Sequence, residues 1–159
     1  MRLEWIDGDR VCIAGGSYGG YSALISAIRR PDRYRCAASL NGPTDLPFAY
    51  QSYFRRWKEG REYFNEFVGD PEEDLDKLIS ISPAYQASKI RIPILLVQST
   101  DDRRVDVDHY YRMQTMLELY GKPYEGHLIQ GGGHSLTGTE WVDFATRLHI
   151  FLIRHLHPS

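Results

Sequence analysis

The run Val11-Cys12-Ile13-Ala14-Gly15-Gly16-Ser17-Tyr18-Gly19-Gly20-Tyr21 constrains this chain more than any other stretch. An apolar segment breaks at a glycine-flanked turn and resumes as Ala23-Leu24-Ile25-Ser26-Ala27-Ile28, with apolar residues at helical spacing. A strand that turns sharply into a helix lifts one serine above the carboxyl end of a parallel sheet, and small residues two before and two after keep the turn free of clashes. Gly15 and Gly19 hold those places around Ser17. The turn also aims the first N–H groups of the new helix at the space beside the serine, which makes the Tyr18 N–H a candidate oxyanion donor. Other glycine-rich readings fail on spacing. A dinucleotide fingerprint needs glycine where Ser17 stands, and a P-loop needs Lys then Ser or Thr after Gly20, where the chain has Tyr21-Ser22.

The rest of the chain alternates in the same way. With Val11 to Ala14 as the first strand, Pro31 ends the helix after the elbow, and Cys36-Ala37-Ala38-Ser39-Leu40 reads as a second buried strand closed by the turn Asn41-Gly42-Pro43. Strand, helix and strand in that order form a parallel βαβ unit. Pro93 to Gln98 is a third strand, apolar throughout as strands covered on both faces are, and Tyr124 to Ile129 is a fourth. Between them Tyr110, Met113, Leu117 and Tyr120 step at helical spacing, with Gly121 as a stop and Pro123 just beyond. In the final helix Trp141, Phe144, Leu148 and Phe151 form the expected buried stripe.

Three segments carry finer expectations. Residues 1–10 read as the end of a helix bearing Leu3, Trp5 and Ile6, followed by the turn Asp7-Gly8-Asp9. Residues 44–69 are dense in aromatics that pack a helical segment, and Phe48 among them is assigned to a substrate pocket. Asp70-Pro71-Glu72-Glu73 has the form of a capping box, and Ser82-Pro83 repeats the cap-then-proline signal for a short turn.

A chain of 159 residues with 42% hydrophobic residues has the size and apolar content of one domain with one core. The formal net charge of −2, with charges scattered, gives no basic field for nucleic acid. No apolar run is long enough to span a bilayer, and residues 1–7 lack a signal-peptide core, so no membrane partner is expected. Cys12 and Cys36, each in a predicted buried strand, are read as small core residues in preference to a disulfide. His155 and His157 would need a third ligand to hold a metal, and no metal site is assigned.

Chemistry gathers on three loops that follow strand ends, the edge of an open α/β sheet where ligands bind. Ser17 follows the first strand, Asp101 and Asp102 the third, and His134 the fourth, on the glycine loop Gln130-Gly131-Gly132-Gly133. A serine hydroxyl needs a neutral imidazole to take its proton, and a carboxylate to fix that imidazole's tautomer. Serine, then aspartate, then histidine is the chain order of α/β-hydrolase triads. His109, His149, His155 and His157 fall in or at the ends of predicted helices and His127 in a strand, which leaves His134 as the base. Spacing alone leaves Asp101 and Asp102 both open.

These motifs resemble the carboxyl-terminal part of the catalytic domain of the prolyl oligopeptidase family of serine peptidases, which includes dipeptidyl peptidases and acylaminoacyl peptidases. Gly15 to Tyr21 matches the family's nucleophile motif, and in Asp102-Arg103-Arg104-Val105 the family's aspartate stands three before the valine, selecting Asp102. The resemblance implies a three-layer α/β-hydrolase fold, present in part as four mainly parallel strands from the nucleophile strand onward with helices on both faces. It also implies that Ser17, Asp102 and His134 form the triad, that the Tyr18 N–H is one oxyanion donor, that Arg104 binds a substrate carbonyl, and that Val105 lies by the pocket for the residue before the scissile bond. The substrate is a peptide and no cofactor is implied; an esterase on the same fold, or an inactive assembly piece, are the alternatives. Ser99 departs from the family's usual glycine. The family's β-propeller, its earlier sheet strands and its tyrosine oxyanion donor all fall upstream of the elbow and have no counterpart in residues 1–159. The elbow strand, mid-sheet in the family, is therefore expected to expose an unpaired edge prone to self-association.

Overall fold

A computed structural model describes residues 7–156; the readings placed on Leu3, Trp5, Ile6 and His157 lie outside that range. Four strands, β1 (Cys12–Gly16), β2 (Cys36–Leu40), β3 (Ile94–Ser99) and β4 (Tyr124–Ile129), form one sheet in the order β1-β2-β3-β4, and every pairing is parallel. The helices are α1 (Tyr18–Arg29), α2 (Leu46–Ser52), α3 (Lys58–Phe67), α4 (Leu75–Ser80), α5 (Asp108–Leu119) and α6 (Gly138–Leu156), with 3₁₀ turns at Phe54–Arg56 and Ala84–Lys89. None of the described helices is long and apolar enough to cross a membrane.

The two-residue period of the strands sorts the core into two layers. Ala37, Ile94 and Leu96 face α1 and α5, packing against Leu24, Ile28, Met113 and Leu117. Cys36, Ala38, Leu95 and Val97 face the opposite way, onto Phe144 and Phe151 of α6. Because β2 and β3 are buried along their whole lengths, their sequences read as unbroken apolar runs and show no alternation. A third, smaller cluster of Leu46, Phe64 and Leu78 lies among α2, α3 and α4, with Tyr50 and Phe54 packed against it.

Three local expectations are corrected. Cys12 and Cys36 are not separate thiols: they are register partners on β1 and β2 with Cα atoms 4.7 Å apart, and their sulfurs are bonded. Asp70 does not start a helix. Its Oδ1 accepts the Glu72 N–H at 2.9 Å and its carbonyl accepts the Asp74 N–H at 2.6 Å, so it closes a single turn, and α4 begins at Leu75 after Asp74. Trp141 is 55% exposed, outside the buried stripe, and lies flat against the Phe144 ring at 5.4 Å between centroids.

Candidate active site

Ser17 sits between β1 and α1 at φ 56° and ψ −125°, a conformation that non-glycine residues adopt only where the surroundings hold it. Its N–H donates to the Leu40 carbonyl at 2.8 Å, and its own carbonyl accepts from the Gly20 and Tyr21 N–H groups, so the turn is pinned to β2 on one side and to the new helix on the other. A Cβ on Gly15 would lie 2.3 Å from the Gly19 carbonyl oxygen, so only glycine fits there. Gly19 itself has open space for a side chain. The second crowded position is Gly20, where a Cβ would meet Ser39 Oγ at 2.6 Å. Tyr18 is the first residue of α1, so its N–H belongs to the helix-start donors that have no carbonyl within the helix.

Asp102 follows β3, and its side chain is fully buried. Oδ1 accepts the N–H groups of Arg104 at 2.8 Å and Val105 at 3.0 Å, which fixes the carboxylate plane and leaves Oδ2 for the imidazole. Three such acceptor contacts satisfy an otherwise costly buried charge. His134 Nδ1 lies 2.8 Å from Asp102 Oδ2, and Nε2 lies 2.9 Å from Ser17 Oγ. The neutral tautomer with its hydrogen on Nδ1 would donate to the carboxylate and leave Nε2 to accept from the serine hydroxyl. Asp101 is exposed and its Oδ1 accepts from Thr100 Oγ1 instead. His127 is likewise engaged elsewhere, its Nε2 lying 2.7 Å from Asp143 Oδ2 on α6.

A cavity of about 680 Å³ opens beside Ser17 and His134, with Tyr18 and Arg104 also lining it. Its walls are apolar, contributed by Val105 and by Tyr53, Phe54, Tyr63, Phe64 and Phe67 from the aromatic-rich segment. Arg104 and Val105 line this cavity, whereas Phe48 is turned away from it. The Phe48 ring packs edge-on against His109 at 4.9 Å and lies under the Arg112 guanidinium at 4.3 Å. Its position on α2 explains this: Asp45 caps that helix by accepting the Phe48 N–H at 3.0 Å, and the same buried carboxylate pairs with Arg112 at 2.9 Å, drawing Phe48 under the arginine.

Two buried polar residues beside the site escape a reading by motif. His109 Nδ1 accepts from the Thr44 N–H at 3.2 Å and the Asp45 N–H at 3.4 Å, and burial lowers its pKa to about 4 despite nearby Asp45, Asp106 and Asp102. Asn41, at the end of β2, reaches both Ser99 and the His134 loop. Spacing of a helical histidine or a turn asparagine carries no sign of either contact. Among the described residues no three His, Cys, Asp or Glu side chains converge as a metal site requires.

Comparison with known proteins agrees with the architecture. Residues 1–159 match the sequence profile of the prolyl oligopeptidase family. Dipeptidyl aminopeptidase BIII of Pseudoxanthomonas mexicana is 30% identical over 134 residues, 83% of this chain and 19% of that protein. An acylaminoacyl peptidase solved in complex with Z-Gly-Gly-Phe-chloromethyl ketone superposes with a TM-score of 0.85 at 25% identity, covering 96% of this chain and 25% of the other. A puromycin-hydrolyzing peptidase of Mycobacterium tuberculosis has the same fold, with a TM-score of 0.85 at 24% identity over 96% of this chain and 23% of its own. This chain thus spans about a fifth to a quarter of the length of those relatives. On a match that runs through residues 1–159, and with a fold that superposes at a TM-score of 0.85, the chain belongs to the prolyl oligopeptidase family.

Proposed function

We propose that this chain is the carboxyl-terminal part of a serine peptidase catalytic domain, and that it hydrolyses peptide bonds through an acyl-enzyme on Ser17. The observation that carries the reading is the unbroken hydrogen-bonded series from Ser17 Oγ through His134 to Asp102 on three strand ends of one sheet edge. Membership in a peptidase family supports a peptide substrate.

In this mechanism Ser17 Oγ attacks the scissile carbonyl carbon while its proton passes to His134 Nε2. Asp102 stabilises the imidazolium and holds the tautomer that made the transfer possible. The Tyr18 N–H donates to the oxyanion that forms. The C–N bond then breaks, His134 returns the proton to the leaving amine, and the acyl group stays on Ser17. Water enters, His134 takes one of its protons, and the acid leaves as Ser17 recovers its hydrogen. Arg104 donates to a carbonyl of the bound peptide, and the residue before the scissile bond occupies the apolar cavity beside Val105.

The test is labelling of the full-length protein by a fluorophosphonate, with Ser17→Ala as the control and turnover compared between peptide anilides and p-nitrophenyl esters. The reading expects labelling of Ser17, loss of both labelling and turnover in Ser17→Ala, and cleavage of peptide anilides. Labelling that survives in Ser17→Ala refutes the nucleophile. Ester turnover without peptide turnover makes the protein an esterase, and no labelling of the wild type leaves only an assembly role.

A further inference from the structure

All four strands end at the same edge of the sheet. Ser17 follows β1, Asp102 follows β3 and His134 follows β4, while the end of β2 carries Asn41. Asn41 is buried and sits at φ 50°, in the left-handed region that asparagine tolerates better than other residues with a side chain. Its Oδ1 accepts the Ser99 N–H at 2.8 Å. Its Nδ2 lies 3.1 Å from Ser99 Oγ, 3.2 Å from the His134 carbonyl oxygen and 3.4 Å from that of Gly133. The Asn41 N–H donates to the Val97 carbonyl at 2.9 Å, and the carbonyl just before it, that of Leu40, accepts the Ser17 N–H at 2.8 Å. One residue therefore meets the end of β3 and the histidine loop directly, and the elbow through the adjoining peptide.

The loop it meets is poorly specified by its own sequence. Gly131, Gly132 and Gly133 precede His134, and glycine gives a backbone its widest choice of conformations. Gly131 is anchored by its N–H to Thr100 Oγ1 at 2.9 Å, and the Gly132 carbonyl by the Asp101 N–H at 3.0 Å. Asn41 holds the next two carbonyls, those nearest the imidazole. The chemistry of the contact selects an amide: it must accept from an N–H on one side and donate to carbonyl oxygens on the other. A carboxylate of the same shape would set an oxygen against two carbonyl oxygens, and an apolar side chain would leave the buried groups without partners.

We propose that Asn41 is a positioning residue for acyl transfer, setting the height and angle of His134 between Ser17 and Asp102. The inference rests on the triad reading above.

Two variants of the full-length protein test it. Asn41→Gly keeps the left-handed backbone and removes the side chain, and Asn41→Asp keeps the shape and removes the donors. Active sites are titrated to completion with a fluorophosphonate, and kcat on a peptide anilide is expressed per titrated site, so that unfolded protein does not enter the value. A misplacement near 1 Å in a catalytic group lowers rate by about 10²-fold, so kcat per site should fall about 10- to 100-fold in Asn41→Gly and at least as far in Asn41→Asp, with KM within about twofold. An unchanged kcat per site, with the loss confined to thermal stability or to the fraction of titratable sites, overturns the proposal. Failure of both variants to fold overturns it too, since the residue is then structural. Absence of labelling in the wild type instead removes the triad reading, and this inference falls with it.

Discussion

His109 should make the stability of this protein depend on pH as the pH falls from about 6.5 towards 4. Its imidazole is fully buried on α5, edge-on to Phe48, with Nδ1 accepting two backbone N–H groups and its own carbonyl accepting from Thr44 Oγ1 at 2.7 Å. A proton on Nδ1 would face two donors, and burial separates the resulting charge from water, so the folded-state pKa falls to about 4. Asp45, Asp106 and Asp102 pull the other way and Arg112 adds to the depression, but desolvation is the largest effect. In the unfolded chain the group titrates near its ordinary value of about 6.5. The unfolded state therefore binds a proton that the folded state refuses. The stabilisation is fully present above about pH 6.5 and is lost as pH falls towards 4, at roughly 1.4 kcal/mol per pH unit, or about 3 kcal/mol in all. His109→Asn retains an acceptor near the Nδ1 position without a titrating group. Urea unfolding of wild type and variant at several pH values between 7.5 and 4 gives the difference directly. The variant should start less stable, from lost packing, and the gap should close by about 3 kcal/mol as pH falls. Parallel curves would show that His109 does not carry a depressed pKa, and would refute the account of how the loop after β2 is tied to α5.

Two further outcomes follow from the site. Asp102→Asn should lower kcat by on the order of 10⁴ through the wrong imidazole tautomer, whereas Asp101→Asn should change it little; steady-state kinetics showing the reverse order would overturn the assignment. Arg104→Ala should lower kcat/KM for peptides by about 10- to 100-fold, the loss of a charge-assisted hydrogen bond, and leave the rate of labelling by a small phosphonate nearly unchanged. Equal effects on both reactions would mean that Arg104 does not bind peptide.

What was legible in the sequence is what local physics alone decides. The strands β2 and β3 are buried on both faces, so no arrangement of neighbours hides their apolar runs, and the elbow needs Gly15 because a Cβ there collides with Gly19. The order of a serine, an aspartate at 101 or 102 and a histidine was visible because each follows a strand that could be read by itself, whereas only the family resemblance chose Asp102 over Asp101. What was not legible depends on register or on partners distant in sequence. Cys12 meets Cys36 only because β1 and β2 pair with those residues opposite one another. Phe48 turns from the cavity because Arg112, on another helix, holds both its ring and the Asp45 cap. Asp70 satisfies the pattern of a capping box, yet its carboxylate is spent on Glu72 and the Asp70 N–H on Asp74 Oδ2, so the helix starts later. Asn41 looked like an ordinary turn residue, since its partners Ser99 and His134 lie 58 and 93 residues away.

The sheet edge supplies the last prediction, which concerns residues 1–159 expressed by themselves. Among the described residues β1 pairs with β2 alone, so its second row of N–H and C=O groups faces away from the sheet. Its sequence, Cys12-Ile13-Ala14-Gly15-Gly16, contains no charge and no proline, the usual devices that keep an edge from pairing with another chain. Shortness is its only protection, at five residues. We expect this polypeptide to self-associate through β1, and size-exclusion chromatography with light scattering should show species larger than 18.4 kDa that grow with concentration. Ala14→Lys places a charge at an exposed position of that strand and should shift the distribution towards monomer. A monodisperse monomer of 18.4 kDa at all concentrations would refute the step, since it would show that β1 needs no neighbour.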